Sequence, residues 1–170
     1  MSEMVGQSKE RVDGWDKVSG SAKFAADLNL GRVFYARVLR STEAHAYIRR
    51  LDVSRARAAR GVKAVITGDT YPGQIGHAIR DHHPIAYRKV RFWGEPVAVV
   101  IADTIEAAEA ALPLIMIEYE PLPAILHPRE AVHEAALLIH EGHDKYPHDP
   151  QIHPIPGTNI AHHYQLRRGD

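Results

Sequence analysis

The stretch from Lys89 to Pro123, KVRFWGEPVAVVIADTIEAAEAALPLIMIEYEPLP, constrains the fold more tightly than any other part of the chain. Val97 to Ala102 is an unbroken apolar run rich in β-branched residues, the pattern of a strand covered on both faces. Asp103 is placed to cap a helix, with Glu106 three residues on to close a capping box, and Ile105, Ala108, Ala111 and Leu112 share one side of it. Pro113 has no N–H to donate and biases Leu112 away from helical angles, so the helix ends there and Leu114 to Tyr119 restarts as a strand. The eleven residues from Asp103 to Pro113 are about enough for a crossover between parallel neighbours, and the reading is a β-α-β unit, with a mixed sheet also accommodating it.

Earlier in the chain the signals are of the same kind. Residues 1–32 are polar, with Asp13-Gly14, Ser19-Gly20 and Asn29-Leu30-Gly31 as turns and Val18 and Phe24 as anchors, so they read as an extended N-terminal arm. Val33 to Arg40 alternates as a strand and Ala46 to Leu51 follows as another. Ser54 is placed to cap a short helix through Ala59, Gly61 to end it in a left-handed conformation, and Val62 to Thr67 to return as a strand. Gly68 to Pro84 is a loop, since GDTYPGQIG holds three glycines and a proline.

Beyond the central unit, Pro128 is expected to open a helix running to about Leu138. Residues 141–158 carry four prolines, two glycines and three histidines and read as a surface connector. Asn159 to Leu166 alternates as a final strand before Gly169-Asp170. The organisation expected is therefore an arm over 1–32, a core over 33–140, and a Pro/His-rich connector with a last strand over 141–170.

Composition excludes several functions. The chain has no cysteine, so it carries no disulfide, iron–sulfur cluster or thiol nucleophile of its own. Lys plus Arg and Asp plus Glu balance at 21 each, which gives no net field to draw in nucleic acid or an anionic membrane. No apolar run approaches the roughly twenty residues that span a bilayer, and MSEMVGQSKER lacks a signal-peptide core, so a cytoplasmic location is expected. A chain of 170 residues is long enough to bury about 70% of its unfolded surface without metal or disulfide staples.

Candidate chemistry is sparse. The twelve histidines include His140, His143, His148, His153 and the pair His162-His163, but most sit in the connector, and alternate strand positions would place His162 and His163 on opposite faces, so no metal site is assigned. Glu95 between Gly94 and Pro96, with Asp81 and His82-His83 before it, has the residue types of an acid/base cluster. The simpler reading is a loop in which Gly94 permits close backbone approach and Pro96 sets the entry to the buried strand. Glu118 and Glu120 read as a solvated strand end, and Arg49, Arg50, Arg55, Arg57 and Arg60 as a solvated basic face or a contact with another domain.

Several ordered motifs together carry a resemblance. Arg11, Asp13, Gly14, Lys17, Val18, Gly20, Ala22, Phe24 and Asp27 form the first; Leu39-Arg40-Ser41 with Ala44-His45-Ala46 and Ile48 the second; Gly61 to Val65 the third; Lys89-Val90-Arg91 with Gly94 to Ala98 the fourth; and Glu118 to Pro123 the last. In this spacing the chain resembles the N-terminal part of the large, molybdopterin-binding subunit of the xanthine dehydrogenase and aldehyde oxidase family, the molybdenum hydroxylases.

The resemblance implies an α+β fold of the α/β-hammerhead type, a mixed sheet with short crossover helices. It implies that the residues holding molybdopterin and the catalytic glutamate lie in domains that follow this one, with Gly169-Asp170 leading towards them. No catalytic, cofactor-binding or metal residue is therefore assigned here, and the chain alone is predicted inactive. By this resemblance it is a structural, docking domain of an oxidoreductase that oxidises an aldehyde or heteroaromatic carbon with oxygen from water. Its partners would be the molybdopterin-binding domains and the iron–sulfur and FAD subunits of the same complex. The residues named for contact with those partners are Arg11, Asp13, Gly14, Lys17, Gly94, Glu95 and Pro96. The alternative is a stand-alone interaction module that keeps the fold without the enzyme.

Overall fold

A computed structural model describes residues 6–28 and 30–169. Asn29 of the expected Asn29-Leu30-Gly31 turn and Asp170 of the Gly169-Asp170 step lie outside the described residues. The chain divides into two compact units, Met1–Val33 and Phe34–Asp170.

The first unit is less extended than its composition suggests. It carries a six-residue helix, α1 (Gly14–Ser19), closed by Gly20 at φ +75°, and a single 3-10 turn at Ala25–Asp27. Left-handed angles at the residue after a helix are what glycine supplies without strain. Asp13 stands at the start of α1 and takes ion pairs from Arg11 at 2.5 Å and Lys17 at 2.6 Å.

The second unit holds β1 (Tyr35–Arg40), β2 (Ala46–Asp52), α2 (Ser54–Arg57), β3 (Val62–Thr67), β4 (Lys89–Val90), β5 (Pro96–Ala102), α3 (Ile105–Ala111), β6 (Met116–Pro121) and α4 (Pro128–Ala131). Its strands form two three-stranded sheets, ordered β1-β5-β3 and β4-β2-β6, and every pairing is antiparallel. The α+β class with short connecting helices stands as the sequence implies. The parallel crossover does not: β5 and β6 lie in different sheets, and α3 carries the chain from one to the other. Chain length between two strands limits how far apart they sit but does not specify the sheet, and β6 instead pairs with β2, placing Glu118 opposite Arg50.

β5 is central because both its edges are paired, which suits its apolar run. Ala98, Val100 and Ala102 are fully buried and pack with Val53, Ala56, Val65, Ala108, Ala111 and Ile115, so α2 and α3 cover one face of the first sheet. Val97 joins Ala46, Ala86 and Val90 in a second small core. Val99 and Ile101 are only half-buried, so the other face of β5 is covered in part.

The helix boundaries differ from the expected ones for local reasons. The cap of α3 is Thr104, whose hydroxyl accepts from the Ala107 amide at 3.1 Å, while Asp103 pairs with Lys63 at 2.8 Å instead. Pro113 then tightens the exit into a 3-10 turn, Leu112–Leu114, delaying β6 to Met116. Ser54 is not a cap: the Asp52 carboxylate accepts from its amide at 2.9 Å and from its hydroxyl at 2.6 Å, and α2 ends at Arg57. Gly61 is left-handed, φ +85°, as placed by the sequence. Pro128 opens α4, but the helix lasts one turn rather than reaching Leu138. Residues 159–169 contain no strand, since the alternating side chains find no neighbouring edge there; instead the Ile155 amide reaches the Ile160 carbonyl and the His163 amide the His153 carbonyl.

Candidate docking face around Arg91

The loop Arg91-Phe92-Trp93-Gly94-Glu95-Pro96, between β4 and β5, contains the buried Glu95 and follows the buried Lys89. Gly94 adopts φ +80°, and a Cβ built on it would meet nothing within 4 Å. Its glycine therefore answers a backbone requirement and not the close approach expected from the sequence. The Gly94 amide donates to the Ser41 carbonyl at 3.0 Å, the Ser41 amide donates to the Glu95 carbonyl at 2.8 Å, and Arg40 Nη1 donates to the Gly94 carbonyl at 2.9 Å. These bonds lock the loop to the end of β1.

Glu95 lies inside this loop and not on its surface. It is 1% exposed, the largest fully buried side chain among the described residues, and its Oε2 accepts the Arg91 amide at 2.5 Å. Burial pushes its carboxyl above the usual range, and the Arg91 amide hydrogen bond and the Arg91 and His82 charges pull it part of the way back. The residues Asp81, His82, His83 and Glu95 do come together, with Arg91, Phe92, Ile139 and His140, around a cleft of about 210 Å³. Glu95 serves there as the internal acceptor of its own turn. Pro96 accepts the Ala86 amide at 2.7 Å through its carbonyl and opens β5.

Arg91 and Lys89 enter the sequence reading only within the Lys89-Val90-Arg91 motif, yet they are the side chains on which this face is built. Arg91 donates from Nε to the Ile139 carbonyl at 3.1 Å and from Nη1 to the Lys89 carbonyl at 3.3 Å. Lys89, 3% exposed, donates from Nζ to the Leu138 carbonyl at 2.9 Å and to Glu141 Oε1 at 2.6 Å. The two cations thus pin residues 138–141 onto the second sheet. Glu141 would be raised by burial, but the Lys89 hydrogen bond and the Lys89 and Arg91 charges outweigh it and hold the carboxyl below its ordinary value. The signal available in the sequence was two cations at alternate positions just before a buried strand, with no acid between them.

His45, flanked by Ala44 and Ala46, is also buried at 4% exposure. Its Nδ1 lies 2.8 Å from the Pro123 carbonyl, an acceptor, so Nδ1 carries the proton, and burial holds the ring's pKa below the ordinary histidine value. His45 and Arg91 line a groove of about 160 Å³ with Phe92, Trp93, Ala124 to Leu126 and Ile139. Trp93 is 69% and Leu126 85% exposed on it, so two large apolar side chains stand together in solvent.

The remaining residues singled out in the sequence distribute as follows. Arg11, Asp13, Gly14 and Lys17 gather at α1, where both cations hold the exposed Asp13 carboxyl below its usual range. Glu118 and Glu120 are more than a solvated strand end: Glu118 pairs with Arg50 at 3.5 Å and Glu120 with Arg49. Arg57 donates to the Val65 carbonyl at 3.4 Å, and of the basic run it is Arg49 and Arg50 whose charges are paired within the fold. His162 and His153 approach to 5.8 Å between ring centres, with the His153 amide donating to His162 Nδ1. Among the described residues no group of three or more His, Cys, Asp or Glu side chains could hold a metal ion.

Residues 19–123 match the family described as aldehyde oxidase and xanthine dehydrogenase, a/b hammerhead domain. The chain is 42% identical over 140 residues to the nicotinate dehydrogenase large molybdopterin subunit of Eubacterium barkeri, covering 81% of this chain and 33% of that protein. It is 36% identical over 144 residues to the xanthine dehydrogenase molybdenum-binding subunit of Escherichia coli O157:H7, covering 78% of this chain and 19% of that protein. Its fold is similar to the crystal structure of quinoline 2-oxidoreductase from Pseudomonas putida 86, with a TM-score of 0.68 and 33% identity over 77% of this chain and 18% of that chain. The chain thus spans about a third or less of these relatives.

Proposed function

Because this chain belongs to the aldehyde oxidase and xanthine dehydrogenase family as its a/b hammerhead domain, we propose that it is a non-catalytic docking domain of a molybdenum hydroxylase. The observation that carries this reading is the exposed apolar pair Trp93 and Leu126 on a face whose backbone is rigidly held by Arg91, Glu95 and Ser41. A firm scaffold under solvent-exposed large apolar side chains is the arrangement of a surface made to be covered. Molybdopterin would then be held by other polypeptide segments, and its oxidative chemistry supplied there, with none of this chain's side chains as ligands.

Several relatives act, by name, on the nitrogen heteroaromatics nicotinate, xanthine and quinoline, and others on aldehyde or carbon monoxide. A heteroaromatic or aldehyde substrate for the assembled enzyme is the reading carried here, with iron–sulfur and FAD subunits as electron carriers. Among the described residues no helix is long and apolar enough to cross a membrane.

The test is affinity purification of the tagged chain from its source cell, with molybdenum analysis and mass spectrometry of what accompanies it. Molybdenum and larger redox polypeptides in fixed proportion are expected. A chain recovered alone and metal-free would overturn the docking reading in favour of a stand-alone module.

A further inference from the structure

The backbone at Arg88 is unusual. Its φ is +60°, the one left-handed value at a non-glycine among the described residues, and the Lys89 amide donates to the Tyr87 carbonyl at 2.7 Å across it. An i to i+2 bond around a positive φ is a γ-turn of the rare, strained hand. The turn is held from outside by the Ile48 amide, which donates to the Arg88 carbonyl at 2.8 Å. Glycine would adopt this conformation freely, so a long cationic side chain is being kept at a position that disfavours it.

That side chain stands at a cleft of about 560 Å³ lined by Tyr47, Tyr87, Tyr146, Arg88, Lys89, Arg91, Glu141 and three further residues of the surrounding loops, His83 among them. Among the described residues neither Arg88 nor Arg91 has an ion pair, and the Arg91 hydrogen bonds named above go to carbonyls. Among the described residues Glu141 is the sole carboxylate lining the cleft, and it is engaged by Lys89. Three cations against one acid leave an excess positive charge in a chain whose total is balanced. Aromatic walls of low dielectric focus that field outward.

We propose that this cleft receives an acidic segment of a partner polypeptide, with carboxylates meeting Arg88 and Arg91. The proposal rests on the docking reading above and names the chemistry of one contact within it. The volume suits several side chains and far exceeds one small ion. A flat ligand is disfavoured because cations already cover the rings: the Arg88 guanidinium lies 4.9 Å from the Tyr87 centre, and Arg49 and Lys89 lie 5.0 and 5.5 Å from that of Tyr47.

The experiment titrates a fluorescein-labelled octaglutamate peptide into the chain at low salt, read by anisotropy, for the parent, Arg88→Gly and a control at an exposed arginine outside the cleft, Arg60→Gln. Saturable binding is expected, weakening with ionic strength, about fivefold weaker in Arg88→Gly and within about twofold of parent in Arg60→Gln. The thermal midpoint of Arg88→Gly is expected at or above that of the parent, because the strained turn is relieved. No saturable binding, equal loss in both variants, or displacement of the peptide by inorganic phosphate at matched ionic strength would overturn the proposal. Affinity purification with Arg88→Gly separates the two claims: unweakened recovery of partner polypeptides, stable to a salt wash as in the parent, would sink the acidic contact while leaving the docking reading intact.

Discussion

The Glu95 carboxylate accepts the main-chain N–H of Arg91 at 2.5 Å, so a buried acid closes the turn that presents Phe92 and Trp93 to solvent. Glu95→Ala removes this acceptor and leaves a cavity, and is expected to cost about 2 to 4 kcal/mol in urea unfolding at pH 7. Glu95→Gln keeps an acceptor oxygen and is expected to cost less than about 1 kcal/mol. Because burial raises the folded pKa, the Glu95 contribution is fully present below the unfolded value near 4.5 and is lost as pH rises through the folded one. The Gln variant therefore has a flatter stability profile over that interval; an unchanged profile would show that Glu95 does not titrate in the fold.

His140 slopes the other way. Burial, with the Arg91 and Lys89 charges, lowers it from 6.5 to about 4, against a smaller upward pull from Asp81 and Glu141. A folded pKa below the unfolded one means that its contribution is whole above 6.5 and is lost as pH falls towards 4, by at most about 3 kcal/mol. Unfolding free energies for the parent and His140→Gln at pH 7 and pH 4.5 test this: the gap between them is expected to shift in favour of the variant at the lower pH.

Two glycines that look alike in sequence fail for different reasons. At Gly94 only the left-handed angle matters, so Gly94→Asn is tolerated best, Gly94→Ala costs about 1 to 2 kcal/mol, and Gly94→Val costs more. At Gly68 a Cβ would lie 2.3 Å from the Ala86 carbonyl oxygen, so Asn and Ala are equally excluded there. Thermal unfolding of the two pairs decides: a milder effect of Asn than Ala is expected at 94 and absent at 68.

Much of the fold was legible because local chemistry dictated it. The β5 run, the Pro113 stop, the Gly61 angle and the loop over 68–84 each follow from residue type within a few positions. What was not legible is what depends on partners distant in the chain. Whether β6 joins β5 or β2 depends on contacts some seventy residues away, where Ile48 and Leu51 share the second core with Ile117 and Tyr119 and Arg49 and Arg50 meet Glu120 and Glu118. The burial of Glu95 is not displayed by its glycine and proline neighbours, since the loop is folded in by its bonds to Arg40 and Ser41 at the end of β1. Asn159 to Leu166 had the alternation of a strand but no edge to join, and a period of two does not form a sheet by itself. For the candidate face, Lys89-Val90-Arg91 and Gly94 to Pro96 were both read from the motif, but the pinning role of Lys89 and Arg91 was not, because their acceptors, the Leu138 and Ile139 carbonyls and the Glu141 carboxylate, lie some fifty residues away.

The central strand offers a direct comparison of its two faces. Val100 is fully buried against α3, whereas Ile101 is half-buried on the opposite side. Val100→Ala is expected to cost about 2 kcal/mol, and Ile101→Ala no more than that despite losing a larger group, because part of the isoleucine is already in water. A much larger loss at 101 would mean that this face is covered by more than the structure describes.

The Lys89–Glu141 pair is asymmetric, with side chains 4% and 48% exposed. Removing the exposed partner is therefore the more damaging change. Glu141→Ala leaves the buried ammonium with the Leu138 carbonyl as its remaining named acceptor, at about 3 kcal/mol. Lys89→Met fills a similar volume with an apolar chain and lets the Glu141 carboxylate turn to water, at about 1 kcal/mol for the lost hydrogen bonds. Once Lys89 is methionine, adding Glu141→Ala is expected to change little, so the double variant unfolds near the single Lys89→Met in urea. Additive losses in the double variant would show that Glu141 supports residues 138–141 through contacts other than the ammonium.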